Sequence, residues 1–470
     1  MIALTCAEIA RVVRGDLRTA GSDTAETVVA GTVDTDSRLI EPGGVFAAKP
    51  GAETDGHLFV AAAHERGAVL ALVEHPVDTP ITQIVVGSVV AALADLARHV
   101  VARVRDAGQL TVVGITGSNG KTTTKNLVAR ILRDEGATVW PHASFNNEVG
   151  APLTMLRVAH GTRYLVCEFG ASAPGEIARL AGLVTPDIGV VLMVGMAHAG
   201  GFGGIEATVR AKSELVQSIR QGGTAVLNAD DPRVAGMAEI ARDREVEVVW
   251  FGRGADADVR ADDVQVTAEG TVCRVSAQGS TLPLRLRVLG EHFVSNALAA
   301  IAVATRIGVP LRSCIDRLES VELAERWRMQ PLGSERVRII NDAYNASPDS
   351  MSAALRTLAQ ITRPGERTVA VLGAMSELGE YADDEHDRVG LLAVRLGIQR
   401  IVIVGDSARR MFLQAVAQGS WDGEAVFWPD ADAAYEYLMG ELRDGDRVLV
   451  KSSNAAGLRH LGDRLGESFS

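Results

Sequence analysis

Short apolar runs, each closed by glycine or a polar turn, recur along this chain and alternate with stretches of helical period. From about residue 109 to 320 the runs TVVGIT, YLVCEF, IGVVLMV and TAVLN have the continuous apolar character of strands buried on both faces. Helical stretches separate them, so the pattern predicts a mostly parallel sheet covered by helices. Beyond about residue 321, VRIIND, RTVAVLG, RIVIVG and RVLVK repeat the alternation and predict a second, Rossmann-like open α/β domain. Before residue 109, GAVLALVE and ITQIVVG mix with short helical patterns and lead into the helical run VVAALADLARHVVARV, which reads as a small α/β domain. The expectation is an α/β protein of three domains, 1–108, 109–320 and 321–470. A chain of 470 residues fits that number at about 150 residues per domain.

One turn between strand and helix carries the chemistry. In TVVGITGSNGKTTTKNLVARIL, residues 111–132, Gly117, Ser118, Asn119 and Gly120 form a glycine-rich loop that ends in Lys121, Thr122 and Thr123. Glycines let backbone N–H groups approach a phosphate, the following helix N-terminus favours an anion, and the lysine reaches the outer phosphates. Thr122 is placed to ligate Mg²⁺ through its hydroxyl. Ile115 stands where the common phosphate-loop pattern has its first glycine, so a strict pattern search misses the loop. ATP and GTP both remain open at this point.

Further along, Glu168 closes the apolar run YLVCE, where a carboxylate at a strand's carboxyl end can face the phosphate loop and hold a metal. GMAHAGGFGGIEATVRAKSEL puts His198 after another apolar strand and Lys212 on the next helix. Together with the loop they suggest a second metal position. A protonated lysine has no lone pair to give, whereas reaction with CO₂ would turn it into a carbamate with two anionic oxygens suited to a hard cation.

Composition narrows the class. With 47% hydrophobic and 23% charged residues the chain is globular, and a formal net charge of -12 argues against nonspecific nucleic-acid or anionic-membrane binding. Cys6, Cys167, Cys273 and Cys314 form no CxxC pair, which fits a reducing cytosol. Glu8 breaks the only apolar stretch of the N-terminus, so a cytoplasmic protein without membrane insertion is expected.

GITGSNGKTTTK, VCEFGAS, HAGGFGG with AKSEL, GEHFVSNALAA and NDAYNASPDSM occur in that order, and DTDSRLIEPGGVFAAKPGAETDGHLF precedes them. In these motifs, over essentially its whole length, the chain resembles the Mur ligases. The resemblance is strongest to the members that add D-alanyl-D-alanine to UDP-N-acetylmuramoyl-tripeptide. It implies that Lys121 and Thr122 contact ATP phosphates and magnesium, that Glu168 binds magnesium, and that His198 with carbamylated Lys212 holds a second ion, with Mn²⁺ able to substitute. It implies further that Asn296 contacts adenine with His292 nearby, that Arg328 approaches the γ-phosphate and Asp342 the ribose, and that the C-terminal domain closes upon nucleotide.

On the substrate side it points to Asn146 and Asn147 in SFNNEVGAPLT, to Tyr344 and Asn345, and to Ser37 and Arg38 near the UDP moiety. Two positions depart from the family pattern: Trp327 stands where glycine is general, and Asn454 where arginine is usual. The activity implied is ADP-forming amide ligation by a monomer in peptidoglycan precursor synthesis. A folylpolyglutamate-type ligase would lack the UDP domain, while a nucleotide-driven switch or a silent nucleotide-binding scaffold would make no amide.

Overall fold

In the computed structural model, which describes all residues except 52–53, 198, 322–325 and 420–423, the strand Thr111–Thr116 lies inside a nine-stranded sheet. Val112, Val113 and Ile115 are fully buried on its two faces, as the unbroken apolar run requires. Tyr164–Glu168 pairs with it in parallel on one side and Ile188–Val191 on the other. Strand order therefore reverses at Thr111–Thr116, which opens a crevice at the carboxyl ends of these strands. Thr138–Val139, Thr224–Asn228, Glu247–Gly252 and Val259–Thr267 complete the parallel part.

The sheet then continues in a way the apolar runs did not announce. Val259–Thr267, Gly270–Ala277 and Ser280–Leu286 form an antiparallel meander joined by two-residue turns at Ala268–Glu269 and Gln278–Gly279, the second with both residues at positive φ. Their one-sided burial spaces the apolar residues with charged ones, so they lack the dense signature of the parallel strands.

The C-terminal sheet runs in the order Gln330–Gly333, Val337–Asn341, Asp446–Lys451, Arg367–Leu372, Arg400–Val404 and Ala425–Trp428, with the first pairing antiparallel and the others parallel. All four runs read from the sequence are strands here. The chain's last strand inserts between Val337–Asn341 and Arg367–Leu372, so Lys451 ends in the middle of the sheet.

At the other end a five-stranded sheet, in the order Asp16–Arg18, Thr82–Val85, Leu70–Val73, Val45–Ala47 and Val33–Asp34, is followed by the helix Val89–Ala107. Ser88 caps that helix by accepting from Ala91 N–H. Its buried stripe, Leu93, Leu96, Val100 and Val104, joins one apolar core with Val112 and Leu165 of the central sheet. The opposite face of that sheet shares a core with the C-terminal helix Pro348–Ile361. No helix among the described residues is long and apolar enough to cross a membrane.

Candidate active site

The carboxyl ends of the central and C-terminal sheets meet across one cleft of about 330 Å³. Ser118 to Thr123, Asn146, Glu168, Asn296 and His292 line it from one side, and Arg328, Asp342, Tyr344, Asn345 and Lys451 from the other.

The phosphate loop is built as its sequence requires. Gly120 is the N-cap of the helix Lys121–Leu132 with φ +84°, and a Cβ there would lie 2.3 Å from Asn296 Oδ1. Glycine is thus needed twice, for the left-handed turn and for the approach of Asn296. No side chain caps this helix, so its first N–H groups face the cleft as an anion site. Ser118 accepts from Gly195 N–H at 2.9 Å, which ties the loop to the end of the neighbouring strand. Lys121 Nζ donates to Gly117 O at 2.8 Å. Enclosure in the cleft lowers its pKa, an effect that Glu168 opposes and Arg328 reinforces.

A line of hydroxyls crosses the cleft. Tyr344 and Ser144 hydroxyls are 3.1 Å apart, Ser144 and Thr122 3.2 Å, and Thr122 donates to Glu168 Oε1 at 3.2 Å. Because Thr122 has one proton and gives it to Glu168, the chain runs from Tyr344 toward the carboxylate. Asn146 Nδ2 also donates to Oε1, at 2.8 Å. Glu168 is buried, and its Oε2 has no hydrogen-bond partner among the described residues. A buried carboxylate oxygen left open beside a threonine hydroxyl suits a hard, oxygen-seeking divalent cation.

Lys212, on the helix Ile205–Ser218, is buried with its Nζ 5.3 Å from the centre of the Phe202 ring. Burial, with Lys121 adding repulsion, pushes its pKa down to about 7 against the pull of Glu214 and Glu176. His198 lies outside the described residues.

From the C-terminal side, the Arg328 guanidinium lies over the Tyr344 ring at 4.2 Å, and its Nη2 is 3.5 Å from Thr122 Oγ1. Asp342 accepts from Met329 N–H at 3.0 Å and pairs with Lys451 Nζ at 2.5 Å. His292, at the start of the helix Glu291–Ile307, is pushed down to about 4 chiefly by desolvation, with Asp342 opposing and Lys451 adding to the effect. Three further contacts close the cleft: Ser347 Oγ donates to Asn119 Oδ1 at 3.1 Å, Asp349 Oδ2 accepts from Met196 N–H at 3.0 Å, and Gly200 N–H donates to Glu377 O at 3.1 Å.

Besides Gly117 and Lys212, which do not line the cleft, three residues singled out in the sequence stand elsewhere. Asn147 is exposed and accepts from Val149 and Gly150 N–H at the start of a short helix. Ser37 and Arg38 belong to the N-terminal domain, where Arg38 pairs with Asp36 at 2.7 Å. Sequence reasoning in turn missed Ser144, Asp349 and Lys451. Of these only Lys451 left a signal, a basic residue closing the buried strand run RVLVK.

Profiles of the Mur ligase family catalytic domain, the Mur ligase middle domain and the Mur ligase glutamate ligase domain match residues 31–107, 115–304 and 327–454. A UDP-N-acetylmuramoyl-tripeptide–D-alanyl-D-alanine ligase of Mycobacterium bovis is 44% identical, with 99% of this chain and 98% of that one aligned. Among solved structures, MurF from Acinetobacter baumannii superposes with a TM-score of 0.88 at 30% identity over 99% of both chains. MurF from Thermotoga maritima in complex with ADP gives 0.80 at 27% identity, over 93% of this chain and 97% of that one. Matched along nearly all its length, the chain belongs to the Mur ligase family.

Proposed function

We propose that this chain is an ATP-dependent ligase that joins D-alanyl-D-alanine to the terminal carboxylate of UDP-N-acetylmuramoyl-tripeptide, the reaction for which its relatives are named. The observation that carries the reading is the convergence on one cleft of a phosphate loop, a buried half-open carboxylate and an arginine from the facing domain. In this reading residues 1–108 hold the UDP end through Ser37 and Arg38, 109–320 hold ATP, and 321–470 close over it and present the amine.

A carboxylate does not condense with an amine unaided, because oxide is a poor leaving group. The donor carboxylate oxygen attacks the γ-phosphorus, ADP leaves, and an acyl phosphate results. Lys121, Arg328 and the N–H groups of Ser118 to Thr123 stabilise charge on the transferring group. The neutral amine of the dipeptide then attacks the acyl carbon, loses a proton, and expels phosphate. Asn296 and His292 would flank adenine, and Asp342, held by Lys451, the ribose. Asn146, Tyr344 and Asn345 would border the donor peptide.

Thr122 and Glu168 would hold magnesium, or manganese in its place, and Lys212 as a carbamate, with His198, a second ion. When bound, these ions neutralise phosphate charge. Closure through Ser347, Asp349 and Gly200 keeps water from the acyl phosphate.

The test is phosphate release from ATP with donor and acceptor present together, singly and absent, with mass analysis of the product. Release that needs both, with a product heavier by one dehydrated dipeptide, supports the ligase. Release that needs neither indicates a nucleotide-driven switch.

A further inference from the structure

We infer that Asp463, on the last helix and outside the cleft, is a positioning residue for Arg328, acting through the Trp327 indole. The inference rests on the reading of Arg328 as a contact of the transferring phosphoryl group.

Two non-glycine residues with left-handed backbone flank Arg328: Trp327 at φ +63° and Met329 at φ +46°. A bulky side chain takes this conformation only where its surroundings impose it, and such residues gather where function needs a fixed geometry. What imposes it here is visible. Trp327 Nε1 donates to both oxygens of Asp463, at 3.1 and 3.0 Å, and the guanidinium groups of Arg326 and Arg459 lie over the indole at 4.6 and 5.0 Å. The backbone is tied as well. Trp327 N–H donates to Gln330 Oε1 at 2.9 Å, Trp327 O accepts from Tyr344 N–H at 3.1 Å, and Met329 N–H reaches Asp342.

Asp463 joins this segment to the sheet. Its carboxylate also accepts from Arg326 Nη2 at 2.9 Å and from Asn341 Nδ2 at 3.0 Å, and Asn341 is the fully buried end of the strand that leads to Asp342 and Tyr344. One carboxylate therefore fixes both the Arg326–Trp327 segment and the strand end whose tyrosine ring supports the Arg328 guanidinium. Asp463 does not line the cleft. A glycine at 327 would adopt the left-handed backbone freely but would give Asp463 nothing to hold. Tryptophan exchanges that freedom for an anchor.

The test is a pair of cycles read with ATP varied up to saturation at saturating donor and acceptor. Asp463→Ala should lower kcat about tenfold, in line with the cost of displacing a catalytic group by a fraction of an ångström, and leave KM for ATP nearly unchanged. Introduced into Arg328→Ala, the same change should lower kcat less than about twofold, because no arginine remains to be positioned. Trp327→Phe, which removes the indole N–H together with the ring that carries it but keeps an aromatic side chain, should follow the same pattern, and it serves where Asp463→Ala folds poorly. Unchanged kcat in folded Asp463→Ala and Trp327→Phe, or equal losses with and without Arg328, would overturn the inference. An Arg328→Ala enzyme of normal kcat would overturn the phosphoryl contact itself, an outcome the same set of enzymes separates from the first.

Discussion

Asn146 Nδ2 donates to Glu168 Oε1 at 2.8 Å, and the other oxygen of that buried carboxylate is left without a hydrogen-bond partner among the described residues. The amide thus fixes which oxygen is available for a cation. Asn146→Ala should raise the magnesium concentration for half-maximal phosphate release about 10- to 100-fold, the usual effect of losing an outer partner of a metal ligand. Glu168→Gln, which removes the charge itself, should cost more. A magnesium titration checks both, and an unchanged midpoint in Asn146→Ala would refute the orienting role.

Lys125 is almost fully buried, and its Nζ donates to Pro141 O at 2.9 Å and Ala143 O at 2.8 Å. These carbonyls begin the loop that carries Ser144 and Asn146 to Thr122 and Glu168. Lys125→Met keeps the stem and removes the donors, so the buried Pro141 carbonyl loses its partner at about 1–3 kcal/mol, while that of the exposed Ala143 can turn to water. Urea unfolding should show that loss, together with a weaker magnesium response. Full stability with normal magnesium dependence would show that the clamp is unimportant.

How far the site could be read from the sequence follows from how local each feature is. Gly117, Gly120, Lys121 and Thr122 form one continuous turn, and Glu168 ends an apolar run whose direction is set by the parallel sheet, so both were legible. Ser144 and Asp349 act through contacts between segments far apart in sequence, with Tyr344 and with the Met196 amide, and no local pattern encodes those meetings. Trp327 stands out in the sequence only as a departure from the family pattern. Its left-handed backbone and its hold on Asp463 are tertiary facts, and the meander 259–286 escaped because half-exposed strands alternate apolar and charged residues.

Gly200 and Gly379 meet backbone to backbone where the C-terminal domain docks on the central one. A Cβ on Gly200 would fall 2.5 Å from Gly379 N, and one on Gly379 would fall 2.7 Å from Gly200 Cα. Neither can be absorbed by a rotating side chain. Gly379→Ala should therefore disfavour the closed arrangement and lower kcat about tenfold or more, while ADP binding to the phosphate loop stays near normal. Small-angle scattering with nucleotide and donor should show a larger radius of gyration than the unaltered protein under the same conditions. Normal turnover and normal compaction together would exclude this contact as a closing surface.

The chemistry open to Lys212 depends on which protonation state it keeps. Only the neutral amine can attack CO₂, and carbamate formation releases a proton, so low pH opposes it on both counts. Burial, reinforced by the charge of Lys121, brings the group down to about 7, so that roughly half of it is neutral near pH 7 and roughly a tenth one unit lower. In CO₂-stripped buffer, activity should therefore fall further at pH 6 than at pH 8, and added bicarbonate should restore it. Labelled bicarbonate should give a carbamate carbon signal by NMR that Lys212→Ala lacks. That variant should lose turnover about 10³-fold and show no response to bicarbonate. If the unaltered protein ignores bicarbonate at pH 6 and shows no carbamate carbon, Lys212 stays an amine, and the second cation position must be built from other donors.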